Sequence, residues 1–171
     1  MAVYRIENIA KDVRIALDRN GSSAALTSIG DIDTLTIDEI INSKIVEAVK
    51  RVHCTAPIHL LDGGYSFADA IYWKNKECGW ILLPEDFMRF VSFKMDDWAY
   101  PVFACFSTDD TEYAKQASRF KGVRGTSQNP KCFISVRPEG RVLEFYSCKT
   151  TDAKISMANY LPYPKIDSMN S

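Results

Sequence analysis

The stretch Gly79-Trp80-Ile81-Leu82-Leu83-Pro84-Glu85-Asp86-Phe87-Met88-Arg89-Phe90-Val91-Ser92-Phe93-Lys94-Met95-Asp96-Asp97 is where the chain changes its period. Ahead of it, apolar residues recur at helical spacing. From Gly79 onward they run or alternate as strands do. Trp80 to Leu83 is a short apolar run stopped by Pro84, with Trp80 expected in the core. Phe87 to Met95 then alternates, with Val91, Phe93 and Met95 on one face and Ser92 and Lys94 on the other. Asp96-Asp97 reads as a turn, and Val102 to Phe106 as the strand that returns from it.

Working toward the C-terminus, Thr108 to Ser118 reads as a helix whose start is favoured by Asp109, Asp110 and Glu112. The segment after it holds Gly122, Gly125 and Asn129-Pro130 and reads as a loop. Cys132–Val136 and Val142–Tyr146 form a predicted hairpin around Pro138-Glu139-Gly140. Asp152 to Tyr160 reads as a strand or a short helix, and the prolines of Tyr160-Leu161-Pro162-Tyr163-Pro164 keep that stretch extended.

Working toward the N-terminus, Asp62-Gly63-Gly64 and Lys74-Asn75-Lys76 read as turns. A helix is predicted over about 36–53. Thr36 and Glu39 match a capping box, Leu35 and Ile40 a hydrophobic staple, and Ile37, Ile41, Ile45, Ala48–Val49 and Val52 an apolar stripe. Pro57 ends it. A first helix is predicted over about 5–20, with Ile6, Ile9, Val13 and Ala16–Leu17 on one face and Asn20-Gly21 as its stop. Gly21-Ser22-Ser23 and Gly30-Asp31 lie in a polar loop between the two. The predicted architecture is therefore α+β: N-terminal helices (about 5–20 and 36–53), then a mainly antiparallel sheet with one inserted helix (about 109–118). A single domain over residues 1–171 is expected, with a helical part over about 1–60 and a β-rich part over about 79–164.

Composition is that of an ordinary globular chain: 171 residues, 46% apolar and 25% charged, with a net charge of −1. The balance excludes a polyanion binder acting through the charge of the whole molecule. The charge is unevenly spread, however. Between Tyr113 and Pro138 there is no acidic residue, while Lys115, Arg119, Lys121, Arg124, Lys131 and Arg137 are all basic. No stretch approaches the roughly 18 apolar residues of a membrane span, and no basic start leads into an apolar run. A cytoplasmic site of synthesis and no membrane partner are expected. The five cysteines, Cys54, Cys78, Cys105, Cys132 and Cys148, are scattered and odd in number, which suits reduced thiols.

Few residues in the sequence point to chemistry. The two histidines, His53 and His59, form no metal-ligand pattern. His53 beside Cys54 suggests thiol catalysis, but neighbours on a helix point about 100° apart. His53 is better read as facing the negative end of its helix, and Cys54 as a small apolar packing residue. Asp96-Asp97 and Asp109-Asp110 are sequence neighbours, suited to turns and helix starts and not to a shared acid–base cleft. Gly63-Gly64 lacks the Lys-Ser/Thr of a phosphate loop, and Gly122-x-x-Gly125 lacks the helices of the nucleic-acid clamp it suggests. No catalytic residue, metal ligand or cofactor-binding residue is assigned. Arg119, Lys121 and Arg124 are candidates for DNA or neighbour-subunit contact. Phe120 is the one aromatic among them, so any DNA contact should be to phosphates without sequence preference. Trp98 has two readings: burial in the core, or exposure at a hairpin tip. On the second, Trp98 and Tyr100 are candidate interface anchors.

An apolar strand followed by Leu83-Pro84-Glu85-Asp86-Phe87-Met88-Arg89 and a further strand resembles the central segment of head–tail connector (adaptor, tail tubular-like) proteins of tailed bacteriophages. Two leading helices, a late hairpin and Tyr160-Leu161-Pro162-Tyr163-Pro164 are similar to that family's order of elements. Asp31-x-Asp33-Thr34-Leu35 and Asp97-Trp98 are similar to neck proteins of crAss-like phages of Bacteroides. The resemblance spans roughly Ile37 to Pro164. It implies a structural virion protein at the head–tail junction, assembled in the host cytoplasm. It further implies a homo-oligomeric ring of about twelve subunits, with the portal protein and other neck or tail rings as partners, no cofactor and no catalysis. Two other readings stand beside it: a cytosolic enzyme using Cys54 or Cys105, and a non-specific nucleic-acid-binding module using Arg119, Lys121 and Arg124.

Overall fold

The computed structural model describes residues 4–19, 37–61, 64–67 and 70–167. The predicted loop over Gly21–Asp31, the Asp31–Leu35 motif, the Asn20-Gly21 stop, Thr36 of the capping box and Asp62-Gly63 lie outside the described residues. In chain order the elements are β1 (Tyr4–Arg5), α1 (Ile6–Arg19), α2 (Ile37–Thr55), β2 (Tyr65–Ser66), β3 (Tyr72–Trp73), β4 (Cys78–Leu82) and β5 (Phe87–Met95). There follow β6 (Phe106–Ser107), α3 (Thr111–Lys115), β7 (Lys131–Arg137), β8 (Gly140–Tyr146), β9 (Ile155–Pro162) and β10 (Ile166–Asp167). The fold is α+β, with mainly antiparallel sheets and a helix inserted among the strands, as the change of period predicts.

Two compact units divide the chain. The first takes residues 1–62 and 163–171 and contains α1, α2 and the parallel pair β1–β10. In α2, Ile41 and Ile45 are buried and Val49 is half-buried, but Val52 is exposed, so the predicted stripe stops short. Cys54 is exposed rather than packed. Helix geometry explains this. Cys54 follows Ile45 at a spacing that turns it to the opposite side of the helix from the buried stripe. The helix ends before Pro57, whose ring cannot continue it, and a short 3-10 turn over Ile58–Leu60 follows.

The second unit takes residues 63–162 and holds two sheets, ordered β2-β9-β5 and β3-β4-β8-β7-β6. Its core is aromatic. Phe67, Phe87, Phe93, Trp98, Phe145 and Tyr160 are all buried in one cluster, with Ile81, Met95, Cys132 and Leu143 filling between them. Phe93 of the smaller sheet meets Phe145 of the larger at 5.6 Å between centroids. The predicted hairpin is present as β7–β8, paired from Lys131↔Tyr146 to Arg137↔Gly140. Its turn needs Gly140, which has φ +132, a conformation closed to side chains bearing a Cβ. The last predicted segment is a strand, β9, and it pairs along the whole of β5.

Three expectations are corrected. The return strand at Val102–Phe106 reduces to one bridge, Phe93↔Val102, after which the chain leaves to pair as β6 in parallel with β7. Pro101 removes the neighbouring donor, and β9 already occupies the other edge of β5. The inserted helix is a single turn, Thr111–Lys115, with Asp110 as its N-cap. The third is Trp80, expected in the core, whereas Trp98 takes the buried one of its two readings. Trp98 is 3% exposed, folded back by a turn in which its N–H donates to Met95 O (3.1 Å), and it rests on Phe93 and Phe145. As a surface anchor Trp98 is therefore excluded. Trp80 lies on the outer side of β4, because the strand's alternation sends Ile81 inward; Tyr72 stacks on it at 4.2 Å.

Candidate functional site

Glu144 stands in the apolar run Val142-Leu143-Glu144-Phe145-Tyr146, on the face of β8 opposite Leu143 and Phe145. It is 5% exposed. A buried carboxylate is costly unless its lone pairs are filled, and here both oxygens are. Ser135 Oγ (2.7 Å) and Arg137 Nη2 (3.0 Å) donate to Oε1; Tyr146 (3.0 Å) and Tyr113 (3.2 Å) donate their hydroxyls to Oε2. Burial pushes the Glu144 carboxyl up, but the Ser135, Tyr146 and Arg137 hydrogen bonds and the Arg137 charge outweigh it, so the net displacement is downward. Burial and the Glu144 charge push both phenols up. Arg137 also covers the Trp80 ring at 5.1 Å. Every polar partner of this carboxylate is thus committed, and the group ties α3 to the sheet.

Beside this cluster an open cleft of about 770 Å³ is walled by the β3–β4 turn, α3, the loop over 121–127 and the end of β8. Five cations line it, Lys74, Lys76, Lys121, Arg124 and Lys149, against one carboxylate, Glu77. The cleft's shape is held by specific ties. Asn75 Oδ1 accepts from the backbone N–H of Glu77 (2.8 Å) and of Cys78 (3.0 Å), fixing the turn. Arg124 reaches Glu77 at 3.3 Å. Gln116 Oε1 accepts from Gly125 N–H (3.0 Å), while its Nε2 donates to Glu112 O (3.0 Å). At Gly125 a Cβ would stand 2.5 Å from Ser147 Oγ, so only glycine lets the loop come this close. Ser147 itself has φ 86, a region where a side chain costs about 1–2 kcal/mol, and its buried Oγ has no hydrogen-bond partner among the described residues. Strain of this kind tends to gather at working sites.

The residues singled out from sequence fall in different places. Lys121 and Arg124 line the cleft; Arg119 does not, and instead lies over Phe120 at 5.0 Å on the exposed loop. Much of the basic stretch is neutralised locally: Lys115 and Lys131 pair with Glu112, Arg124 with Glu77 and Arg137 with Glu144. Tyr100 is 65% exposed, and Phe103, which the sequence does not single out, is 67% exposed near it. Asp96 and Asp97 serve as ties: Asp96 Oδ1 accepts from Lys154 N–H (3.0 Å) and Asp97 Oδ2 from Lys149 N–H. Cys78, Cys132 and Cys148 are buried. Burial holds all three thiols above the usual range, Cys148 at about 12, which keeps them protonated and sluggish. Cys105 is half-buried. Among the described residues no three His, Cys, Asp or Glu side chains gather where they would hold a metal ion, and no helix is long and apolar enough to cross a membrane.

Glu144 and the cleft were not apparent from spacing. A lone carboxylate inside an apolar strand is the signal for the first. The second brings Lys74, Lys76 and Lys149 next to Lys121 from turns far apart in the chain, which no local pattern displays. Compared with family models, curated proteins and solved structures, the chain matches none.

Proposed function

We propose that the chain is a structural virion protein, one subunit of a ring that joins the portal to the tail of a bacteriophage around the DNA channel, and that it works by contact and not by catalysis. The observation that carries this reading is the pair of aromatics on the loop after β5. Tyr100 and Phe103 stand in solvent on a segment anchored by the buried Trp98 and by the Phe93↔Val102 bridge. Rigidly mounted exposed aromatics are the usual anchors of protein interfaces, since they bury much area at little entropic cost. The interior agrees with a contact role. Among the described residues the one deeply buried carboxylate, Glu144, is fully hydrogen-bonded, and the buried thiols are held protonated. A ring subunit requires heterologous side faces that meet a neighbour's different face. The portal and the adjoining neck or tail rings are the partners this reading assigns.

The test is assembly. Purified particles should contain the chain in stoichiometric amount by quantitative mass spectrometry. Negative-stain images of the protein mixed with a portal should show rings. Tyr100→Ser with Phe103→Ser should lower ring yield at least tenfold while the melting temperature moves by less than about 2 °C, as expected for surface positions. Absence from particles, or rings unaffected by the double substitution, would overturn the reading.

A further inference from the structure

We propose that the lysine-lined cleft is a binding site for a nucleoside polyphosphate, with the phosphates on the lysines and the base against Tyr113 and Tyr146. The proposal goes beyond the connector reading and does not rest on it, since ring assembly and ligand binding are read by different experiments.

The charge is the first ground. The whole molecule carries −1, yet this one concavity gathers five cations around a single carboxylate that Arg124 already holds at 3.3 Å. Lys74, Lys76, Lys121 and Lys149 have no carboxylate partner among the described residues, and all four are exposed. Like charges held together repel, and such an arrangement is normally offset by an anion. A concave wall of one sign also focuses its field on a bound group. Lysine ammonium groups are compact charges suited to phosphate oxygens.

Shape is the second ground. About 770 Å³ falls within the roughly 300–1,000 Å³ typical of small-ligand sites. It suits a nucleotide or a strand end, not a double helix passing by.

The third ground is the floor. Tyr113 and Tyr146 both line the cleft, and both hydroxyls are committed to Glu144. What they offer a ligand is therefore ring carbon, the surface against which a base or ribose packs.

The experiment is calorimetric titration of the full chain at low ionic strength with ATP, inorganic pyrophosphate, a 5′-phosphorylated oligonucleotide and a poly-glutamate peptide. ATP should bind with one site per chain, more tightly than pyrophosphate. Lys121→Ala with Lys149→Ala should weaken ATP at least tenfold, equivalent to about 1.4 kcal/mol. Because both lysines are exposed, the ligand-free melting temperature should stay unchanged. Binding of the oligonucleotide but not of ATP would transfer the site to nucleic-acid ends and overturn the nucleotide assignment. Equal binding of ATP and poly-glutamate, undiminished ATP binding by the double variant, or no phosphate ligand bound at millimolar concentration would overturn the site itself.

Discussion

Glu144 shows how much one residue can decide. Four donors from three elements converge on it, and it is the negative centre about which α3, β7 and β8 are organised. Glu144→Gln keeps the shape and removes the charge, so charge-assisted hydrogen bonds become ordinary ones. The expected loss is about 2 kcal/mol in urea unfolding at pH 7. The pH dependence has a definite sign. The folded carboxyl titrates below the ordinary glutamate value of 4.5, so its contribution is complete above that value and drains as the pH falls through the folded value. The glutamine variant should show a flatter decline in acid than the wild type. A parallel decline would mean that other groups carry the acid sensitivity. Little of this was legible beforehand. The charge is a lone carboxylate in an apolar strand, which the sequence reading passed over, and its partners depend on the β7–β8 register, in which Phe133 and not Ser135 stands opposite Glu144.

At the level of elements, the hairpin β7–β8 was legible because turn chemistry is a local signal, whereas the alternation expected in β5 is broken by register shifts and Ser92, expected on the outer face, is buried beside Phe93. What escaped was partner choice. Val102–Phe106 reads as a strand, but it keeps only one bridge to β5, on the edge opposite β9, and beyond it the chain pairs with β7. The same limit left both readings of Trp98 open, since burial depends on a turn that folds it back onto rings far away in sequence. Beyond the end of β8, Ser147 holds a left-handed backbone with a hydroxyl that meets nothing. Ser147→Gly should therefore raise stability by about 0.5–1 kcal/mol, the relief of strain being partly offset by glycine's greater freedom when unfolded. Chemical denaturation measures it directly. A loss instead of a gain would show that the hydroxyl is engaged in solution.

Taken whole, the chain is an α+β protein in two compact units, and the wide separation in sequence of paired strands such as β4–β8 and β2–β9 bears on its folding. Long-range pairing closes large loops before it is rewarded, so the β-rich unit should fold in milliseconds to seconds and not in microseconds. That unit contains its own aromatic core, and both strands of each pairing in its two sheets fall within residues 63–162. A fragment of residues 63–162 is expected to fold alone. It should give a cooperative thermal transition and keep the blue-shifted fluorescence of the buried Trp98. A broad, non-cooperative melt would show that the unit depends on the rest of the chain.

The pairing of β1 with β10 has a consequence for biosynthesis. A ribosome delivers Tyr4–Arg5 before residues 63–162 and Ile166–Asp167 after them, so the whole β-rich unit emerges between the two strands. The β-rich unit is therefore free to complete its core during translation, while the helical unit waits for its final strand. Ile166–Asp167 thus act as a latch thrown only after the β-rich unit has emerged, and a chain released at residue 162 would carry a finished β unit on an unfinished helical one.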